Sequence, residues 1–333
     1  MSARLAVLGA GSWGTTFAKV LADAGNPVAL WARRPAVAEA IRKRRRNDDY
    51  LPGVLLPETI SVDSDPAVVL GGAELVFLSV PSQTLRQNLQ DLGGLLRHDA
   101  VLISLMKGVE NGTGKRMSTV IREELGTPDE RIAVVSGPNL ATEIAREHPT
   151  AAVVASESAE TAHRVGLAAT NRYFRTFVNN DVIGTEFGGV LKNLIAVAIG
   201  IVDGVGYGDN TKASILTRGL AEMTAFAVAF GAQPETLSGL AGLGDLIATS
   251  ESPLSRNNRA GRLLGQGYTL EDVLATMGQV AEGLSSVEPV LELARQRSVD
   301  MPIVAQVADV LAGRMDPRDI APHLTTDPVP LDE

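Results

Sequence analysis

The segment GAGSWGT at residues 9–15 sets three glycines, Gly9, Gly11 and Gly14, in the spacing G-x-G-x-x-G. It follows a short apolar run, RLAVL at 4–8. It precedes residues 12–24, whose Phe17, Val20 and Leu21 fall on one side of a helix. Strand, glycine turn and helix in that order open a βαβ unit. There the first glycine permits the tight turn, and the second lets backbone approach a pyrophosphate. The third lets the helix pack closely on the strand. The helix N-terminus attracts the anion. The chain is therefore expected to open with a sheet that cradles a dinucleotide.

The pattern continues for half the sequence. PVALWAR, the stretch 73–82, the stretch 100–108, RIAVVSGPN, TAAVVAS and FRTFVNND read as further strands, with helical stretches such as 83–97 between them. Alternation of this kind argues a parallel sheet. After about residue 183 the strand signal stops. GTEFGGVLKNLIAVAIGIVDGVG is apolar around most of a helical circumference, which predicts a buried helix. Helical patterns follow at 211–231, 234–240, 254–265, 270–276, 285–297 and 302–313. We expect an α/β fold: a Rossmann-type, mostly parallel sheet domain over 1–183 and an all-helical domain over 184–333. The proline-rich acidic tail from about 322 is expected to be poorly ordered.

Composition narrows the chemistry. The 333 residues include no cysteine, so thiolate and disulfide chemistry are excluded, which fits a cytoplasmic protein. His98, His148, His163 and His323 show no metal-ligand spacing and no catalytic context, so no metal site is expected. The opening residues are too short for a signal segment. The apolar run LIAVAIGIV is far below spanning length, so no membrane span is expected. A formal charge of −9 argues against nucleic-acid binding. An anionic substrate must then be met by individual lysines and arginines. At the end of the second strand, where an NAD-binding unit usually carries an acid, LWARRP has Arg33 and Arg34 instead. Two cations there suit a 2′-phosphate. NADP(H) is therefore favoured, with use of NAD(H) allowed. The run Arg42 to Arg46 reads as a solvated helix end.

Read together, GAGSWGT, LMKGVENGTG, SGPNLATEIA, GGVLKNLIA and GLGDLIATSESPLSRNNRAG resemble the bacterial NAD(P)-dependent glycerol-3-phosphate dehydrogenase family, in order and spacing, from about residue 4 to about 315. The resemblance implies interconversion of dihydroxyacetone phosphate and sn-glycerol 3-phosphate, the backbone of glycerophospholipids. It also implies a two-domain architecture like that of 6-phosphogluconate dehydrogenase, and a homodimer. It places the catalytic acid/base on Lys192. That lysine lies in a helix almost without other charge, where apolar walls disfavour its ammonium form.

The same resemblance assigns substrate contacts to Lys107, Gly137, Asn139, Asn193, Asp245, Thr249, Ser255, Arg256 and Asn257. Asn139 stands where many relatives have Ser or Thr. Arg256 can grip a phosphate in a bidentate fork. Cofactor contacts fall on Gly9, Gly11, Ser12, Trp13, Gly14, Arg33, Arg34, Lys107, Ala141, Arg256, Val280 and Glu282. Trp13 either packs on the cofactor or covers the helix N-terminus. Val280 serves equally as core and Glu282 as surface. Two rivals stay open on fold alone. One is another two-domain reductase acting on a hydroxyisobutyrate, ketopantoate or nucleotide-sugar type of substrate. The other is a catalytically dead nucleotide-binding module.

Overall fold

A computed structural model describes residues 3–277 and 281–321. They fall into two compact units, one of residues up to 110 with 115–186, the other of 111–114 with residues from 187 on.

The first unit is built on eight strands: β1 (Leu5–Leu8), β2 (Val28–Trp31), β3 (Ile60–Asp63), β4 (Leu75–Leu78), β5 (Val101–Ser104), β6 (Ile132–Ser136), β7 (Thr150–Ala155) and β8 (Phe174–Asn179). Their order across the sheet is β3-β2-β1-β4-β5-β6-β7-β8. Every neighbouring pair is parallel except β6 with β7. β1, β4, β5 and β6 are buried along their whole length, as strands covered on both faces must be. The helices are α1 (Ser12–Asp23), α2 (Pro35–Arg44), α3 (Pro66–Leu70), α4 (Leu85–Leu92), α5 (Met117–Leu125), α6 (Ala141–Ala145) and α7 (Ala159–Ala169). On one face Phe17 of α1 packs against Phe77 and Phe174, with ring centroids 5.2 and 5.9 Å away. On the other, Leu85, Leu89, Val120 and Ile121 cover Val76 and Leu102. The chain leaves β1 toward β2 on one side and β4 toward β5 on the other. The strand order thus reverses between β1 and β4, the place where open parallel sheets bind ligands.

Two local features differ from the expectations. β3 was not expected, because only Val62 of ISVD is buried and no apolar run marks the strand. The basic run is more than a solvated helix end. Arg42 donates to the Val62 carbonyl through Nε at 3.2 Å and Nη2 at 3.1 Å. Arg45 closes α2 in the left-handed region at φ 53° and binds Glu58 and the Leu56 carbonyl. These bonds turn the chain back toward the sheet.

The second unit is helical. α8 (Val182–Val205) starts in the first unit and is followed by α9 (Asp209–Ala229), α10 (Pro234–Ser238), α11 (Asp245–Glu251), α12 (Arg256–Gly265), α13 (Leu270–Met277), α14 (Glu282–Gln296) and α15 (Pro302–Leu311). By length and composition α8 could cross a membrane, which the shorter sequence run did not suggest. It serves as a core helix, with 83% of its apolar window buried inside the protein. Its pairing with α12 depends on four glycines. A Cβ on Gly200 or Gly204 would lie 2.2 Å from the carbonyl oxygen of Asn258 or Arg262 respectively. A Cβ on Gly261 or Gly265 would lie 2.1 or 2.2 Å from that of Val197 or Ile201. The two backbones therefore touch directly. The sequence carries the signal as two G-x-x-x-G spacings, which were not singled out.

Candidate active site

In the first unit the glycine motif separates into fold requirements and one exception. Gly9 has φ +114°, and a Cβ there would lie 2.3 Å from the Ser79 carbonyl oxygen just beyond β4. On Gly14 it would lie 1.9 Å from the Gly9 oxygen. Both glycines are required by the protein itself. Gly11 has an ordinary φ of −75°, and no protein atom lies within 4 Å of its would-be Cβ. No protein contact calls for glycine there, and the space beside it is open to a ligand. Gly11 is also the N-cap of α1, and no side chain caps that helix. The arrangement fits a dinucleotide pyrophosphate.

The neighbouring cofactor candidates surround this loop. Ser12 Oγ donates to the Tyr50 carbonyl at 2.6 Å. Trp13 packs edge-to-face on Phe17 at 5.4 Å, and its buried Nε1 has no hydrogen-bond partner in the protein. Arg33 and Arg34 are exposed just past β2, and Arg34 Nη2 donates to the Tyr50 hydroxyl at 3.4 Å. Beyond β5, Lys107 Nζ donates to the Gly137 carbonyl at 2.9 Å. Gly137 itself turns at φ +119° just past β6. Asn139 follows with both amide atoms buried and without protein partners, as is the Ser136 hydroxyl. Buried amides are nearly always satisfied, so this turn offers polar groups to a ligand or an ordered water. Ala141 opens α6, and its carbonyl accepts from Thr16 Oγ1 of α1 at 3.3 Å.

In the second unit Lys192 projects from α8 and is 6% exposed. One turn earlier, a Cβ on Gly188 would lie 2.5 Å from the Ala241 carbonyl oxygen, so α8 lies directly against the 240–244 loop. That loop is a single π-helical turn leading into Asp245. Such turns recur at functional sites. The result is a compact cluster. Lys192 Nζ donates to Thr249 Oγ1 at 2.6 Å and lies 3.0 Å from Asp245 Oδ1. Thr249 Oγ1 lies 3.1 Å from the same carboxylate oxygen, to which it can pass its own hydrogen. Burial opposes the ammonium charge and the carboxylate favours it.

The next residue on α8 ties this cluster to α12. Asn257 Nδ2 donates to Asn193 Oδ1 at 2.7 Å, and Asn257 Oδ1 accepts the Gly283 N–H at 3.0 Å. Gly283 must be glycine, since a Cβ would lie 2.7 Å from Asn257 Oδ1 and 2.9 Å from the Asn193 oxygen. Ser255 caps α12 by accepting the Asn258 N–H at 3.2 Å. Arg256, the first residue of α12, is exposed. Glu282 opens α14 half-buried, and Val280 lies outside the described residues, as does the tail from 322. The structure thus joins Lys192, Asp245 and Thr249 in one cluster and Asn193 with Asn257 in a second, adjacent on α8. It joins Lys107 to Gly137, with Asn139 two residues further along the same turn.

The chain matches two family models. One, the N-terminus of NAD-dependent glycerol-3-phosphate dehydrogenase, covers residues 4–162; the other, its C-terminus, covers 181–322. The chain belongs to the NAD-dependent glycerol-3-phosphate dehydrogenase family. A relative from Leifsonia xyli, named glycerol-3-phosphate dehydrogenase [NAD(P)+], is 67% identical over 98% of this chain and 89% of its own length. One of the same name from Streptomyces griseus is 55% identical over 92% of each. The crystal structure of glycerol-3-phosphate dehydrogenase from Coxiella burnetii superposes with a TM-score of 0.92 at 36% identity, over 98% of this chain and 99% of that one.

Sequence reasoning missed several residues that shape these family sites. Asn47 and Tyr50 lie in a segment without a glycine signature, and Ser136, at the head of SGPNLATEIA, gives no sign in sequence of its unpartnered hydroxyl. Gly188 of GGVLKNLIA and Gly283 were passed over because close packing against an oxygen distant in sequence leaves no local pattern.

Proposed function

We propose that this chain reduces dihydroxyacetone phosphate to sn-glycerol 3-phosphate, reversibly, with NADPH or NADH, and so supplies the glycerol backbone of phospholipids. The observation that carries the catalytic assignment is the Lys192 ammonium held by Thr249 Oγ1 and Asp245 Oδ1. Lys192 gives a proton to the substrate's carbonyl oxygen in reduction and takes it back in oxidation. Asp245 stabilises the ammonium before transfer, and Thr249 orients it. Arg256 and the start of α12 hold the phosphate, and the Asn193–Asn257 bond fixes that helix relative to the lysine. In the first unit the loop at Gly9–Gly14 holds the pyrophosphate, and Lys107, Gly137 and Asn139 supply polar groups at the strand ends. The bound nicotinamide supplies hydride to the carbonyl carbon. Arg33 and Arg34, exposed past β2, favour the 2′-phosphate of NADP(H).

Loss of reduced-cofactor absorbance on adding dihydroxyacetone phosphate tests this directly. Turnover with both cofactors is expected, faster at low NADPH than at equal NADH. No turnover with either refutes the activity; equal preference refutes the arginine assignment. A cytoplasmic homodimer completes the proposal. Sedimentation as a single species of twice the chain mass is expected, and a monomer refutes that part.

A further inference from the structure

Behind the glycine loop sits a side chain to which neither the motif nor the activity gives a role. Asn47 is 3% exposed and lies just past α2, where the Arg45 turn brings the chain back. Its Nδ2 donates to the Ala10 carbonyl at 2.8 Å and to Thr15 Oγ1 at 2.8 Å. A carbonyl only accepts, so the amide nitrogen must face it. Ala10 is the residue between Gly9 and Gly11, and Thr15 lies in the first turn of α1. One amide therefore spans both sides of the loop. The segment that carries it is pinned again by Ser12 Oγ on the Tyr50 carbonyl, and its chain is closed by the Leu51 N–H on the Asn47 carbonyl at 2.7 Å.

The bond to Ala10 has a directional consequence. In a trans peptide the carbonyl and the following N–H point to opposite sides. With the Ala10 oxygen turned onto Asn47, the Gly11 N–H points away from Asn47. Without that bond the 10–11 peptide could rotate, because Gly11 places few limits on its own φ. We propose that Asn47 is a positioning residue that aims the Gly11 N–H and the uncapped start of α1 at the pyrophosphate of the cofactor. This rests on the dinucleotide role proposed above. The pyrophosphate is common to NADPH and NADH, so Asn47 acts on both alike, unlike Arg33 and Arg34.

The test uses the full chain, with NADPH and NADH titrated separately by calorimetry alongside melting of the cofactor-free protein. Asn47→Asp keeps the shape and removes the donors. It is expected to raise Kd and KM for NADPH and NADH tenfold or more in equal proportion, with the loss falling on cofactor KM rather than on kcat. Thr15→Val, which removes one acceptor, is expected to weaken both at least threefold, and it carries the test if the Asn47 variant does not fold. Unchanged Kd, a lowered Tm with unchanged Kd, or a shifted NADPH to NADH ratio would each overturn the assignment. Failure of the wild type to bind either dinucleotide would instead remove the cofactor role on which it depends.

Discussion

Two glycines three residues apart should respond in opposite ways to the same added methyl group. Gly14→Ala puts a Cβ 1.9 Å from the Gly9 oxygen, whereas ordinary contact begins above 3 Å. Helix α1 would have to retreat by more than about 1 Å, and overpacking of that kind costs about 1–3 kcal/mol. For a unit of this size that lowers Tm by roughly 2–12 °C. Gly11→Ala meets no protein atom within 4 Å and keeps an allowed φ of −75°. Its effect on the cofactor-free fold is neutral to slightly stabilising, about 0.4–1 kcal/mol, through the unfolded chain. It should instead obstruct pyrophosphate. Loss of one charge-assisted hydrogen bond, about 1.5–3 kcal/mol, weakens NADPH binding roughly 10–150-fold. Calorimetric binding and thermal melting of both variants measure these quantities. A Gly11→Ala protein that binds NADPH like wild type, or that melts as low as Gly14→Ala, would refute the distinction between a ligand glycine and a packing glycine.

Other perturbations follow from the same geometry. Lys192→Ala should reduce turnover at least ~100-fold, and the buried Asp245 carboxylate left without it should destabilise the fold by about 3–5 kcal/mol. Adding Asp245→Asn should restore part of the stability and none of the activity; turnover within a few-fold of wild type in Lys192→Ala would remove the acid/base role. Gly200→Ala should destabilise by about 1–3 kcal/mol and raise KM for dihydroxyacetone phosphate. An unchanged Tm and KM would contradict the backbone contact between α8 and α12. Glu222 on α9 accepts the Ile303 N–H at 2.7 Å, and burial pushes its carboxyl up to about 7 from 4.5. Between those values the folded state holds a proton that the unfolded chain has released, so stability should fall as pH rises through that window and level off above it. Glu222→Gln should flatten that slope in pH-dependent denaturant melts; an unchanged slope would exclude Glu222 as its source.

The central strands β1, β4, β5 and β6 were legible as fully buried apolar runs separated by helical periodicity, whereas β3, with only Val62 buried, escaped. The Gly9–Gly14 loop was legible because glycine spacing is a direct record of backbone geometry. Lys192 stood out as a charge in an apolar helix. Less was visible where function depends on pairs distant in sequence. Asn47 looks like any loop asparagine until Ala10 and Thr15 are seen beside it. Ser255 reads as a phosphate ligand and is also the cap of α12, a role that depends on where the helix starts. The G-x-x-x-G pairs of α8 and α12 are visible in each helix, but their meaning appears only when the two helices meet.

The meeting of α8 and α12 carries a consequence for what this unit can become. A seam of side chains can drift by small rotamer adjustments, but backbone against backbone offers no such freedom. Sliding α12 by one residue would bring Arg262 or Leu264 to a position that accepts only glycine. A slide of four residues, about 6 Å along the axis, would restore one glycine but set Asn257 or Thr269 at the other contact. The interval between the lysine on one helix and the first turn of the other is thus held at a single value. Changes in the length of substrate accepted would have to arise in the loops that lead into α12 rather than by gradual movement of the helix itself.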